Sequence, residues 1–116
     1  MSGGRKTPRL DRRMVLEAPE RVADGAGGFQ LTWGTRGVVW AAVRPGTGRE
    51  TAGVEVRAAQ VPYRITVRAA PVGSSMRPRP EDRLRDGTRV FTLLAVTEED
   101  PRGQYLTCFA REEDPA

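Results

Sequence analysis

The sequence predicts an all-β protein: a small closed or partly open β-barrel of six to seven short antiparallel strands, with a long loop and flexible termini. Three observations point there. Apolar and polar residues alternate over short runs, the two-residue period of a strand covered on one face. Glycine- and proline-rich turn signals separate those runs at close intervals. No segment carries a helical apolar period strong enough to compete, and strands without helices bury their apolar faces only in a barrel or a sandwich. In a chain of 116 residues a barrel removes exposed edges more completely.

Residues 1–11 are rich in glycine, proline and charge and read as a flexible basic arm. In Arg13-Met14-Val15-Leu16-Glu17, Met14 and Leu16 share a face, which predicts the first strand. Asp24-Gly25-Ala26-Gly27-Gly28 is a turn, and Phe29-Gln30-Leu31-Thr32-Trp33 follows with three large apolar residues at alternate positions, completing a hairpin. Phe29, Trp33 and Tyr63 are thereby expected in the core. Val38 to Val43 is apolar on both faces, as in a strand covered on two sides. Trp40 is accordingly placed in the core, where Trp40→Ala costs about 3–5 kcal/mol.

Pro45-Gly46-Thr47-Gly48 ends that strand. Residues 49–60 read as a long loop with room for one helical turn, since Gly53 and two valines oppose a longer helix. Tyr63 to Arg68 alternates cleanly. Pro71 to Pro80 is a loop, Leu84 lies in a short strand, and Asp86-Gly87 is a tight hairpin turn. Arg89 to Val96 is a long buried strand, Glu98 to Gly103 a turn, and Tyr105 to Phe109 the strand that closes the sheet. The organisation is thus a basic arm over 1–11, a β-barrel domain over 12–111 and an acidic tail over 112–116.

Composition narrows the function. The chain lacks histidine and has one cysteine, Cys108, and one lysine, Lys6. A structural zinc site needs three or four Cys or His ligands, and a Ser–His–Asp or Cys–His site needs an imidazole. Neither can be built, so no catalytic, metal or cofactor-binding residue is expected and the chain is not read as an enzyme. A single cysteine forms no internal disulfide and suits a reducing compartment. No apolar run approaches the roughly 20 residues of a membrane-spanning helix, and no apolar stretch follows the basic N-terminus as in a signal peptide.

The net charge of +4 is unevenly placed. Arg5, Lys6, Arg9, Arg12 and Arg13 against Asp11 account for all of it. From Glu98 onward, six acids face two arginines. The chain has a basic front and an acidic back.

The glycines at 25–28 are not a phosphate loop, which needs a following helix and a Gly-Lys-Ser/Thr ending. Glu98-Glu99-Asp100 and Glu112-Glu113-Asp114 read as solvated charge rather than a carboxylate pair held across a cleft. Cys108, between Thr107 and Phe109, reads as a small core residue. Arg64, Arg68, Arg83, Arg85 and Arg89 punctuate strands. They read either as solvated faces with ion pairs or as an outward basic strip for phosphates or an acidic partner.

The order of segments carries a resemblance. A Gly-Gly hairpin enters a Trp-ending strand, and Val39-Trp40-Ala41-Ala42-Val43 leads to Gly48-Arg49-Glu50. Ala59-Gln60-Val61-Pro62-Tyr63-Arg64-Ile65-Thr66-Val67-Arg68 follows, and then an Asp-Gly hairpin opens the Gly87–Val96 run. From Arg9 to Glu112 this resembles the phage head–tail joining family of head-closure or stopper proteins, whose members occur in tailed phages, prophages and gene transfer particles.

The resemblance implies a β-barrel subunit of a homo-oligomeric ring of about six or twelve copies. Such a ring sits between portal or adaptor and tail in the neck of the particle. It retains double-stranded DNA and forms its exit channel, with no membrane partner, and is made in the bacterial cytoplasm. The resemblance offers the Arg44–Gln60 loop as a channel or ring-contact segment, with Arg44, Arg49, Glu50, Glu55 and Arg57 as its charged candidates. Arg5, Lys6 and Arg9 are the candidates for contacts made by the arm. The alternative is a standalone small β-barrel that binds nucleic acid through its arginines.

Overall fold

The computed structural model describes residues 8–46 and 62–113. These form six strands: β1 (Arg12–Ala23), β2 (Phe29–Pro45), β3 (Pro62–Arg68), β4 (Arg83–Asp86), β5 (Arg89–Glu98) and β6 (Tyr105–Glu112). Every pairing is antiparallel. In the order β1-β2-β3-β6-β5-β4 they close into a barrel, with β4 returning to β1. The expected all-β barrel is the observed architecture.

The first hairpin turns where the sequence says it does. Asp24 accepts hydrogen bonds from the Ala26 and Gly28 amides at 2.7 and 3.1 Å, while Gly25 and Gly27 take φ of 82° and 85°. Those angles are strained for a side chain bearing Cβ. The strands it joins are longer than expected. The separate runs Phe29–Trp33 and Val38–Val43 are one 17-residue strand. A bulge accounts for the merger: Leu16 pairs with Gly37 and Glu17 with Thr35, which leaves Arg36 as the extra residue. Gly37 is required there, with φ of 153° and the Met76 sulfur 2.7 Å from where a Cβ would stand. β1 and β2 therefore continue past the barrel as a two-stranded arm, pairing Pro19 with Trp33 through to Ala23 with Phe29.

Inside the barrel, alternation places Met14 and Leu16 of β1, Ala41 of β2, Ile65 and Val67 of β3, and Leu84 of β4 in one buried cluster. Phe91 and Leu93 of β5 and Leu106, Cys108 and Ala110 of β6 complete it. Tyr63 packs against this cluster, its ring meeting Phe91 edge-on at 5.2 Å between centroids. A second bulge, between Leu93 and Ala95, turns Leu94 outward to 56% exposure.

Three expectations about the core are corrected. Phe29 is 66% exposed, because its part of β2 lies in the arm and not in the barrel. Trp33 is only half-buried. Val38 to Val43 is covered on one face alone: Val39, Ala41 and Val43 point to the core, whereas Val38 and Trp40 are exposed. A continuous apolar run looks the same in sequence whether both faces or one is covered within the subunit. With Trp40 at 52% exposure, Trp40→Ala should change stability by no more than about 1 kcal/mol, and Phe91→Ala should cost about 3–5 kcal/mol. Denaturant unfolding of the two variants checks the contrast.

Candidate assembly surface

The residues singled out from sequence are only partly within the described structure. Arg44 is exposed near the end of β2 and pairs across the sheet with Arg64 of β3. Arg9 is exposed ahead of β1. Arg5, Lys6, Arg49, Glu50, Glu55 and Arg57 lie outside the described residues.

The five strand arginines do not form one strip. Arg64 and Arg68 lie on β3, Arg83 and Arg85 on β4 and Arg89 on β5, and β6 stands between β3 and β5 in the barrel. Each arginine is engaged. Arg64 stacks over Phe109 at 5.6 Å and Arg68 over Tyr105 at 5.9 Å. Arg89 forms a two-pronged bond to Glu112, at 2.8 and 3.1 Å. That bond holds the Glu112 carboxyl below its ordinary range.

Arg83 and Arg85 share Glu17, the most consequential polar residue of the structure and one that sequence reading missed. Glu17 lies on β1 at the bulge, opposite Arg83 across the β1–β4 ladder. Arg83 Nε donates to one carboxylate oxygen at 2.6 Å, and Arg85 reaches the other through Nε at 3.2 Å and NH2 at 3.1 Å. The Arg83 guanidinium also lies 4.2 Å from the Trp33 ring centroid. One clasp thus ties β1, β2 and β4 together at the base of the arm. Burial pushes the Glu17 carboxyl up, but the hydrogen bonds and charges of Arg83 and Arg85 outweigh it and hold the group below the usual range. A strand glutamate followed by alanine and proline gives no sign of this, because its partners are more than sixty residues away.

Among the described residues, no group of three or more His, Cys, Asp or Glu could hold a metal ion. The Cys108 thiol is buried and pushed up to about 12 by loss of solvent and by nearby Asp82, so at neutral pH it is a thiol within the core. Asp82 is itself buried, which raises its pKa, although it accepts a bond from the Arg79 amide at 2.9 Å. It supports the loop before β4, where the Asp82 carbonyl accepts from the Leu93 amide and the Glu81 amide donates to the Leu93 carbonyl. No helix among the described residues is long and apolar enough to cross a membrane.

What the fold does present is surface. On β2, pairing puts Phe29, Leu31 and Trp33 on one side of the arm. The extra residue at the bulge shifts the phase, so that Val38 and Trp40 carry the same outward side onto the barrel wall. Phe29, Leu31 and Trp40 are each more than half exposed. Single exposed apolar residues are ordinary, but a row of them along one strand is the mark of an interaction surface.

The chain is similar to known proteins. A family model described as phage head completion protein matches residues 5–113. A chain from the virion of a native gene transfer agent particle is 51% identical, with a TM-score of 0.76. The alignment covers 95% of this chain and all of that one. The solution structure of protein SF1141 from Shigella flexneri 2a shares the fold, with a TM-score of 0.70 at 21% identity over the full length of both chains. No curated protein sequence matches.

Glu17→Gln should lower stability by roughly 1–3 kcal/mol at pH 7, because two arginines lose a charged acceptor. The wild-type carboxyl has a lowered pKa in the fold, so its stabilising effect is complete above the unfolded value of about 4.3 and disappears as pH falls through the folded value. Melting curves of the two proteins should therefore differ at pH 7 and converge at strongly acid pH.

Proposed function

We propose a function from one premise: the chain belongs to the phage head completion protein family. It serves as a head-closure subunit, a non-catalytic component of a phage-like particle. Copies form a ring between the portal or its adaptor and the tail, retain the packaged DNA and surround its exit channel. Its partners are further copies of itself, the adjoining head and tail proteins, and the double-stranded DNA that passes through. Its place is the neck of the particle. The observation that carries this reading is the 51% identity, over 95% of the chain, to a component of a gene transfer agent virion.

Physical features support it. A ring subunit needs a rigid unit with surfaces at its margins, and a closed barrel bearing an arm meets that need. A DNA conduit must not grip its cargo, because each neutralised phosphate releases counterions and strengthens binding. The strand arginines described above are occupied by carboxylates and aromatic rings, which lowers the free positive charge on the barrel. The same occupation weighs against a standalone nucleic-acid-binding barrel, which needs open arginines and stacking platforms. Within this reading, the division into a basic arm (1–11), a barrel (12–111) and an acidic tail (112–116) assigns the termini to contacts with neighbouring rings. The segment bearing Arg44, Arg49, Glu50, Glu55 and Arg57 is the candidate for channel or ring contact.

Particles from cells lacking the gene test the proposal by electron microscopy. DNA-filled heads that stay tailless or leak their contents are expected. Complete particles with normal necks would remove the head-closure role.

A further inference from the structure

We propose that the β1–β2 arm is how one copy holds the next: its outward apolar face lies on the outward β5–β6 wall of a second copy of this chain. This rests on the ring reading above and names the contact that would build the ring.

The arm is two-faced. Phe29 and Leu31, 66% and 62% exposed, continue the side that carries Trp33, whereas Glu20, Gln30 and Thr32 occupy the other with Val22. A two-stranded ribbon standing alone in water is marginal and gains nothing from an apolar side. That side is accounted for if something covers it. On the barrel, the β5 bulge exposes Leu94 at 56%, with exposed Ala95 beside it. This wall supplies the apolar ground the arm lacks.

Charge favours this pairing over others. On the arm's apolar face Arg21 is the one charged residue, whereas the segment from Arg89 to Glu113 carries three arginines against five acids. Face and wall are therefore of opposite sign. Arg21, 6.0 Å from the Phe29 ring, places a cation on the arm's apolar face. Two arms meeting face to face would instead bring Arg21 against Arg21.

Topology supplies the geometry of repetition. In the order β1-β2-β3-β6-β5-β4, β2 stands across the barrel from β5 and β1 from β6. Each copy thus presents the ribbon on one side and the wall on the opposite side, the arrangement that a heterologous contact needs to repeat and close. From Ala18 to Ala23 the arm reaches roughly 17 Å, at about 3.3 Å per residue. That is enough to lie along several strand positions of a neighbouring wall.

Cysteine cross-linking in assembled particles tests the contact. Phe29→Cys and Leu94→Cys are combined in one chain, both at exposed positions, while Cys108 stays buried. Particles made with this chain are treated with a short bis-maleimide. The expected result is a ladder of covalent multimers beyond the dimer, absent from either single-cysteine chain. Particles that contain the chain but yield no ladder would overturn the contact and leave the head-closure reading standing. Dimers from Phe29→Cys alone would overturn it in favour of arm-to-arm pairing. Absence of wild-type chain from particles would remove the head-closure reading and this contact with it.

Discussion

The barrel closes through its shortest ladder. β1 and β4 meet in only three residue pairs, Val15 with Arg85, Leu16 with Leu84 and Glu17 with Arg83. The Glu17 carboxylate, 5% exposed, binds both flanking arginines across that seam. Leu84 lies in the core directly behind it. Without this seam β1 and β4 would be open edges, the usual starting point for unwanted strand pairing. The same carboxylate fixes Arg83 under Trp33, so one side chain contributes both to closure of the barrel and to anchoring of the arm.

The bulge opposite Glu17 is the second constraint. An uninterrupted ladder would turn Phe29, Leu31 and Trp33 to the side opposite Val38 and Trp40, because side chains alternate with a period of two. One extra residue restores the phase, and the apolar side runs outward from barrel to arm. The result is a protein whose core is small and whose largest aromatic residues stand partly in solvent. That distribution leaves apolar surface open to a partner, and the chain belongs to the phage head completion protein family.

Local patterning made much of the fold legible. Met14 and Leu16, Tyr63 to Arg68, and the Asp24–Gly28 and Asp86-Gly87 turns are settled by residues within a few positions of one another, and the structure places them accordingly. Which face of an apolar run is covered depends on distant strands, and there the reading of Trp40 and Phe29 failed. Glu17 was invisible for the same reason, since its meaning lies in Arg83 and Arg85. The surface was legible only as a resemblance of segment order. A structural subunit needs no fixed constellation of catalytic types, so its sequence carries no motif that names its role. Of the charged candidates, Arg9 and Arg44 are within the described structure and exposed, and the others fall outside it.

Cryo-electron microscopy of the intact particle, resolved at the junction of head and tail, tests the account most directly. The account predicts a ring of these barrels between portal or adaptor and tail, each closed through the β1–β4 seam, around a channel on the particle axis. Density for the chain elsewhere in the particle, or as isolated copies without a ring, would contradict it.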